Sequence, residues 1–297
     1  MNNNTLDFRG NTPPIDTNNP DNNVFLRQLR LASLFRGSST GMLAVMGPCA
    51  MTEDLETLVR ESVMIHQFEE ANPGVTALHR LPFWKPRTDP LDWHGLITSH
   101  PELAIDIMRF KERFFGDLAS ELGSEEQIAS FGRKLALGWV GSRNFEGNDL
   151  AEISLKKNWF MPLGIKNDMT GDIESMMDRI KHLRSLFPRS TIVPIFRGGE
   201  SLDNPKKWEE AFKRLFDRTN GLFIVDSAHG TEIAHDKRFK KSVEGQLKAL
   251  HHIKELRIAG FICRGLMVEM SDAISRTDPN IPFDSGLSVV IEIIRIK

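Results

Sequence analysis

Residues 161–197, MPLGIKNDMTGDIESMMDRIKHLRSLFPRSTIVPIFR, contain one complete unit of the fold. Two short apolar runs, MPLGIK and TIVPIF, begin and end it, and such runs are typical of strands buried on both faces of a parallel sheet. Between them the apolar residues recur at helical spacing: Ile173, Met176, Met177, Ile180 and Leu183. The stretch therefore predicts a strand, a helix and a second parallel strand, with Lys166 and Arg197 at the two strand ends.

The same unit recurs along the chain. Six further apolar runs predict strands: MLAVMG (42–47), VTALHRL (75–81), DLASEL (117–122), LALGWVG (135–141), GLFIVD (221–226) and IAGFICRGLMV (258–268). Eight strand-helix units in about 260 residues match a (β/α)8 TIM barrel, an α/β fold whose functional residues lie at the carboxyl ends of the strands. A doubly wound open sheet is the main alternative, but no Gly-x-Gly-x-x-Gly follows the first run.

The two ends of the chain differ from this pattern. About 24 amino-terminal residues are rich in Asn, Asp and Pro and predict a polar arm, followed by an amphipathic helix from Asn23 to Leu34. We therefore expect an arm and leading helix over residues 1–40 and a barrel over 41–297. The terminal segment GLSVVIEIIRI predicts a last helix, although its β-branched residues leave a strand open.

Composition limits the classes of function. The chain has 38 Lys and Arg against 40 Asp and Glu, a formal charge of -2, so no overall field favours nucleic acid or an anionic membrane. No apolar run is long enough for a membrane helix, and we expect a soluble, cytoplasmic protein. Two cysteines make no disulfide framework. Because tyrosine is absent, proton transfer must depend on Lys, His, Asp, Glu or water.

Polar residues stand directly after the apolar runs, and a barrel would bring them to one mouth. They are Cys49, Arg80, Lys85, Glu121, Arg143, Lys166, Arg197, His229 and Glu269, with Asp278 in the loop beyond. Five buried cations would be costly unless an anion or acidic partners compensate them, and a ligand with two anionic groups would suffice. The Cys, His, Glu and Asp set suits a divalent ion such as Mn, Fe, Co or Zn. Each of these four residues alone has a structural explanation, and spacing does not establish the site.

Several ordered segments resemble one enzyme family. MGPCAMTED, FWKPRT followed by WHGL, GWVGSRNFE, MPLGIKND, PIFRGG, VDSAHG with the later KRFKKS, and GLMVE resemble the class I DAHP synthases over about residues 40 to 290. The resemblance implies a barrel enzyme that condenses phosphoenolpyruvate with erythrose 4-phosphate to give 3-deoxy-D-arabino-heptulosonate 7-phosphate (DAHP) and phosphate. It also implies a divalent metal, a place at the first step of the shikimate pathway to the aromatic amino acids, and a homo-oligomer, either dimer or tetramer.

The resemblance also assigns roles by position. The metal ligands fall on Cys49, His229, Glu269 and Asp278, with Asp272 a competitor for the fourth place because the loop after Glu269 is short. The phosphoenolpyruvate contacts fall on Arg80, Lys85, Arg143, Lys166 and Arg197, and the aldose phosphate contacts on Pro86, Arg87 and Thr88. We expect Lys85, Glu121 and His229 to be the catalytic residues, with Lys85 delivering a proton and Glu121 orienting water.

Some positions depart from the family pattern. Trp84 stands where the family commonly has Glu, Ala50 replaces a Ser and Asp168 replaces a Gly. Between Lys166 and Arg197 there is no room for the hairpin that aromatic-sensitive members carry, so we expect no ordinary feedback inhibition by Phe, Tyr or Trp.

Other functions remain open at this point. The first is a paralogue that uses a different aldose in specialised metabolism, and the second is a non-catalytic regulatory barrel. A 3-deoxy-octulosonate 8-phosphate synthase is disfavoured, because that family typically has Lys-Ala-Asn-Arg-Ser where this chain has Lys-Pro-Arg-Thr. The retained cations argue against a non-catalytic barrel, since a dead site need not keep costly buried charges.

Overall fold

A computed structural model describes residues 20–50, 54–84, 95–141, 149–167, 172–197, 205–228, 233–235, 238–240, 242–273 and 279–296. Helices and strands alternate through these ranges. In chain order they are α1 (Pro20–Phe35), β1 (Met42–Gly47), α2 (Leu55–Ala71), β2 (Val75–Arg80), α3 (Leu96–Ser99), α4 (Pro101–Phe114), β3 (Leu118–Glu121), α5 (Glu125–Phe131), β4 (Leu137–Val140), α6 (Leu150–Lys157), β5 (Leu163–Lys166), α7 (Ile173–Leu186), β6 (Ile192–Phe196), α8 (Pro205–Thr219), β7 (Ile224–Asp226), β8 (Ile233–His235), β9 (Arg238–Lys240), α9 (Val243–Ile258), β10 (Gly265–Glu269) and α10 (Phe283–Arg295).

Eight of the strands close into a barrel. Their order is β1-β10-β7-β6-β5-β4-β3-β2, and every neighbouring pair is parallel. Because β1 pairs with both β2 and β10, the sheet has no open edge, and the doubly wound alternative is excluded. The (β/α)8 barrel predicted from the repeating units is confirmed. The short strands β8 and β9 form a separate antiparallel hairpin.

Local sequence signals explain several boundaries. Asp54 caps α2, because its side chain accepts a hydrogen bond from the Thr57 amide, and Asp172 caps α7 in the same way. The sequence offered either Thr52 or Asp54 as the cap of α2; Thr52 lies outside the described residues.

The apolar run 258–268 was predicted as a strand throughout, but only its second half is one. Residue 258 instead ends α9, and Gly260, with φ of 91°, makes the turn that follows.

The terminal segment forms a helix, α10, so the open choice between helix and strand is settled in favour of the helix. Between β5 and β6 the described residues form the single helix α7. No helix in the described ranges is both long and apolar enough to cross a bilayer.

Successive side chains of each strand point alternately outward and inward, and this produces two layers of apolar side chains. The outward residues pack against the surrounding helices, while the inward residues fill the barrel. The inner group includes Leu43, Leu78 and Met267 from three strands, together with Leu31 and Leu34 of α1. Helix α1 therefore packs against the barrel interior and covers one end of it. The boundary at residue 40 remains a prediction.

Candidate active site

Polar side chains gather at the carboxyl ends of the barrel strands, where all of them are buried except Glu121, which is half-buried. The described members are Cys49 after β1, Arg80 at the end of β2, Glu121 at the end of β3, Lys166 at the end of β5, Arg197 after β6, Asp226 at the end of β7 and Glu269 at the end of β10. On each strand the period-two alternation sends one of these groups inward at the mouth. Strands far apart in sequence thus supply one site.

Arg80 lies at the centre of this group. Its Nη2 is 2.8 Å from Oε1 of Glu269, and its Nη1 donates a hydrogen bond of 2.6 Å to the carbonyl oxygen of Pro48. The guanidinium carbon is 5.9 Å from the ring centre of Trp139, within the range of a cation–π contact. Burial alone would lower the pKa of Arg80, but the nearby carboxylates, Glu269 above all, raise it overall. Arg80 is therefore a permanent positive charge in the mouth.

Gly47 allows the segment after β1 to approach Arg80. This residue has a φ of 148°, and a Cβ atom there would overlap the backbone oxygen of Arg80. The absence of a side chain thus brings Pro48 and Cys49 beside the guanidinium. A larger residue at position 47 would push the segment that contains Cys49 away from β2.

Lys166 and Asp226 form a second buried ion pair across the mouth. Burial lowers the pKa of Lys166; the Asp226 carboxylate opposes this effect, and the positive charge of Arg197 adds to the lowering. The backbone amide of Arg197 donates a 2.8 Å hydrogen bond to Oδ1 of Asn167. The charge of Arg80 also lowers the pKa of Lys166, so Arg80, Lys166 and Arg197 lie close enough to interact electrostatically. A cluster of three cations is suited to bind an anionic ligand.

Glu121 lies on the same side of the barrel. A Cβ atom on Gly141 would overlap Oε1 of Glu121, so the glycine at the end of β4 makes room for this carboxylate. Glu121 acts electrostatically on both Arg80 and Lys166, which places it near the cations as the sequence predicted. Its role in orienting water remains a prediction.

Two of the four predicted metal ligands are described: Glu269 ends β10, and Cys49 follows β1, the strand paired with it. Gly47 of β1 pairs in register with Glu269 of β10, and Cys49 follows two residues later. The amide of Cys49 donates a 2.8 Å hydrogen bond to Oδ1 of Asn280. Both Cys49 and Glu269 are fully buried. A buried thiol beside a buried carboxylate fits a borderline divalent ion, although no three His, Cys, Asp or Glu side chains cluster within the described ranges.

Asp272, the competitor for the fourth ligand position, is engaged elsewhere. Its Oδ2 is 2.9 Å from Nη2 of Arg60, and its Oδ1 accepts a 2.9 Å hydrogen bond from the amide of Phe283, the first residue of α10. Both carboxylate oxygens thus have partners in the outer helices α2 and α10. The geometry disfavours Asp272 as a metal ligand.

Glu61 of α2 fixes the turn that follows Glu269. Its Oε1 accepts hydrogen bonds from Oγ of Ser271 at 2.7 Å and from the amide of Asp272 at 2.9 Å. Its Oε2 lies 3.9 Å from Nε2 of His79, and neither atom has a hydrogen-bond partner among the described residues. Burial raises the pKa of Glu61 to about 7, the hydrogen bond from Ser271 opposing it. The chain therefore keeps a costly buried carboxyl group to hold this turn.

We expect replacement of Glu61 with Gln to flatten the pH dependence of stability. A folded-state pKa of about 7, raised from 4.5, means that wild-type stability falls as the pH rises from 4.5 to 7. By linkage the loss amounts to about 3 kcal/mol. Urea unfolding at pH 5 and pH 8 measures it, with the exposed Glu70→Gln as control. Equal pH dependence in Glu61→Gln and wild type would contradict the assignment.

A third buried ion pair lies outside the barrel wall and does not belong to the mouth. Lys111 Nζ is 2.8 Å from Oδ1 of Asp117 and 3.3 Å from Nδ1 of His79. His79 precedes Arg80 on β2 and therefore points to the opposite face of the strand. Burial, with the charge of Lys111, lowers the pKa of His79 well below its ordinary value, so this imidazole is neutral.

The remaining predicted residues lie outside the described ranges: Lys85, Pro86, Arg87, Thr88, Arg143, His229 and Asp278. The sequence interpretation missed three residues that the structure places in or beside the mouth. Asp226 ends the run GLFIVD and Asn167 follows MPLGIK, so the rule that selected the other residues could have found both. No sequence pattern identified Glu61, because its role depends on the packing of α2 against the turn after β10, which only the structure shows.

Comparison with known proteins identifies the family. The model of the DAHP synthetase I family matches residues 15–276. The chain belongs to the DAHP synthetase I family. A search of curated protein sequences gave no match. Among solved structures, the phospho-2-dehydro-3-deoxyheptonate aldolase of Francisella tularensis SCHU S4 is similar, with a TM-score of 0.74 and 16% identity over 95% of this chain and 93% of the other. At that identity the likeness shows the barrel fold alone.

Proposed function

We propose that this DAHP synthetase family member condenses phosphoenolpyruvate with erythrose 4-phosphate, giving DAHP and inorganic phosphate. Membership of the family supports DAHP synthase activity in general. The observation that carries the specific proposal is the meeting of Arg80, Lys166 and Arg197 beside Cys49 and Glu269 in one buried mouth. We place the reaction in the cytoplasm, at the entry to the shikimate pathway.

The cations suit phosphoenolpyruvate, which has a carboxylate and a phosphate. Arg80 and Arg197 offer planar guanidinium groups that bind such oxyanions through two hydrogen bonds, and Lys166 adds a point charge. Arg143 and Lys85, which follow β4 and β2 in the chain, would complete the set. Holding both anionic ends of the substrate fixes its C3 atom toward the aldehyde, and such positioning is worth about 7 kcal/mol or more when the geometry is good.

The DAHP synthase family is generally metal-dependent, and the residues here fit a divalent ion. Cys49, His229, Glu269 and Asp278 would hold Mn, Fe, Co or Zn, which when bound supplies a Lewis acid for the aldehyde oxygen. The choice of Asp278 over Asp272 rests on Asn280, which is two residues further on and contacts the Cys49 amide. The choice of His229 rests on its position after β7, the strand paired with β10.

The chain's own residues would then carry the proton and water steps. As C3 of phosphoenolpyruvate attacks the aldehyde, Lys85 delivers a proton to the oxygen that becomes an alkoxide. Glu121 orients a water molecule toward C2, and the resulting hemiketal phosphate loses inorganic phosphate. Pro86, Arg87 and Thr88 would bind the aldose phosphate. His229 would act through the metal that it helps to hold.

Release of phosphate from phosphoenolpyruvate, measured with a panel of aldose phosphates, tests the proposal. We expect erythrose 4-phosphate to give the highest kcat/KM, and we expect a chelator to abolish turnover and added divalent metal to restore it. Mass spectrometry of the product would identify DAHP. A higher rate with another aldose would instead support a specialised paralogue, and no release with any aldose would support a non-catalytic barrel.

A further inference from the structure

A cavity of about 980 Å³ opens at the end of the barrel opposite to the mouth. Its wall includes Met42 of β1, Val75 and Thr76 of β2, and the segment that leads into β10, together with residues of α1, α2 and α10. The carboxyl ends of the same three strands lead to Cys49, Arg80 and Glu269. The cavity is thus separated from the mouth by the length of the strands and shares none of the mouth residues.

Four arginines line this cavity, against two carboxylates. Arg27 pairs with Glu69 at 2.7 Å, and Arg30 lies 3.8 Å from the same carboxylate. The other acid, Glu70, is 3.4 Å from Nε2 of His66. One carboxylate therefore serves two guanidinium groups, and the lining retains a net positive charge.

Within the ranges that the structure describes, the other two arginines, Arg257 and Arg264, hydrogen-bond to backbone oxygens. Arg257 Nε donates to Ile296 at 2.9 Å, and Arg264 Nη1 donates to Thr40 at 2.8 Å. Neither has a carboxylate at ion-pair distance in the described part of the chain. They are close enough to repel each other, since Arg264 adds to burial in lowering the pKa of Arg257. Since neither cation has a counter-charge among the described residues, most of their N–H donors remain available to a ligand.

The imidazole of His66 also lines the cavity. The cavity volume also lies within the range of about 300 to 1,000 Å³ that is usual for small-molecule sites.

We propose that this cavity is a second binding site, for a small metabolite that Arg257 and Arg264 hold through phosphate or carboxylate oxygens. Guanidinium groups bind both kinds of oxyanion through paired N–H donors, so the chemistry is shared. The proposal concerns binding alone and assigns no reaction to this cavity. It is independent of the reaction proposed for the mouth.

Isothermal titration of the full chain with two separate probes, glycerol 3-phosphate and succinate, tests the proposal and distinguishes the two oxyanions. We expect at least one probe to bind, and we expect Arg257→Gln or Arg264→Gln to weaken that binding at least about tenfold, as losing a charged hydrogen bond does. The control is Lys248→Gln, which removes an exposed cation from the same helix as Arg257 and should leave binding unchanged.

A second variant keeps the test decisive if loss of an arginine unfolds the chain. Thr76→Glu would place a carboxylate in the cavity wall as an internal counter-charge, so we expect a retained thermal unfolding temperature but no probe binding. Failure of both probes to bind the wild type would overturn the proposal. Binding that Arg264→Gln and Thr76→Glu leave unchanged would also overturn it, because the probe would then occupy another site such as the mouth.

Discussion

Replacement of Arg80 with Met is expected to lower kcat/KM for phosphoenolpyruvate by about 1,000-fold, the upper end of what one preorganised donor contributes. Arg80 is the cation that contacts Glu269, so its loss removes a substrate contact and disturbs a predicted metal ligand together. Arg80→Lys keeps the positive charge but lacks the planar guanidinium that binds an oxyanion through two N–H donors, so it should recover only part of the activity. Steady-state kinetics measure both variants, and activity of Arg80→Met within tenfold of wild type would contradict the central role of Arg80.

The same substitution should also destabilise the fold, and a double variant measures how much of that loss comes from the broken ion pair. Removing Arg80 breaks its buried ion pair with the Glu269 carboxylate, and breaking such a pair typically costs about 3–5 kcal/mol. Arg80→Met combined with Glu269→Gln removes both charges and should recover much of the stability without recovering activity. If activity instead returned with stability, Arg80 would be a structural residue only.

Lys85→Met is expected to keep the fold and the affinity for divalent metal but to lower kcat by about 100-fold to 10,000-fold, as loss of a positioned proton donor does. Lys85 lies outside the described residues, and its role rests on its place after β2. Titration with Mn²⁺ measures the metal affinity, and phosphate release measures kcat. Lys156→Met, which removes an exposed lysine of α6, is the matched control. Near-normal turnover in Lys85→Met would refute the proton role.

The barrel could be predicted because its signals are local and repeated. Strands such as β5 and β6 are short, continuous apolar runs, and α7 between them has clear helical spacing with Asp172 as its cap. Once the strands are parallel, geometry brings the residue after each of them to one end of the barrel. The placement of Arg80, Lys166, Arg197 and Glu269 therefore followed from position alone.

What the sequence could not provide depends on contacts between distant elements. The pairing of Lys166 with Asp226 joins strands that are not consecutive, and two charges 60 residues apart give no pattern that identifies their partner. Likewise, Asp272 could be set aside as a ligand only once Arg60 and the first residue of α10 were seen beside it. The prediction of one strand over 258–268 was wrong for a simpler reason. The run begins at the last residue of helix α9 and ends in strand β10, and apolar residues occur in both elements.

The contact between Arg80 and Trp139 has an experimental use. The chain has five tryptophans and no tyrosine, so its ultraviolet emission comes from indole groups without energy transfer from phenol rings. The Trp139 indole is almost completely shielded from solvent, and the guanidinium that faces it also contacts Glu269. A change in the electric field around Arg80 is thereby transmitted to a native fluorophore, so occupancy of the mouth can be followed optically without attaching a dye.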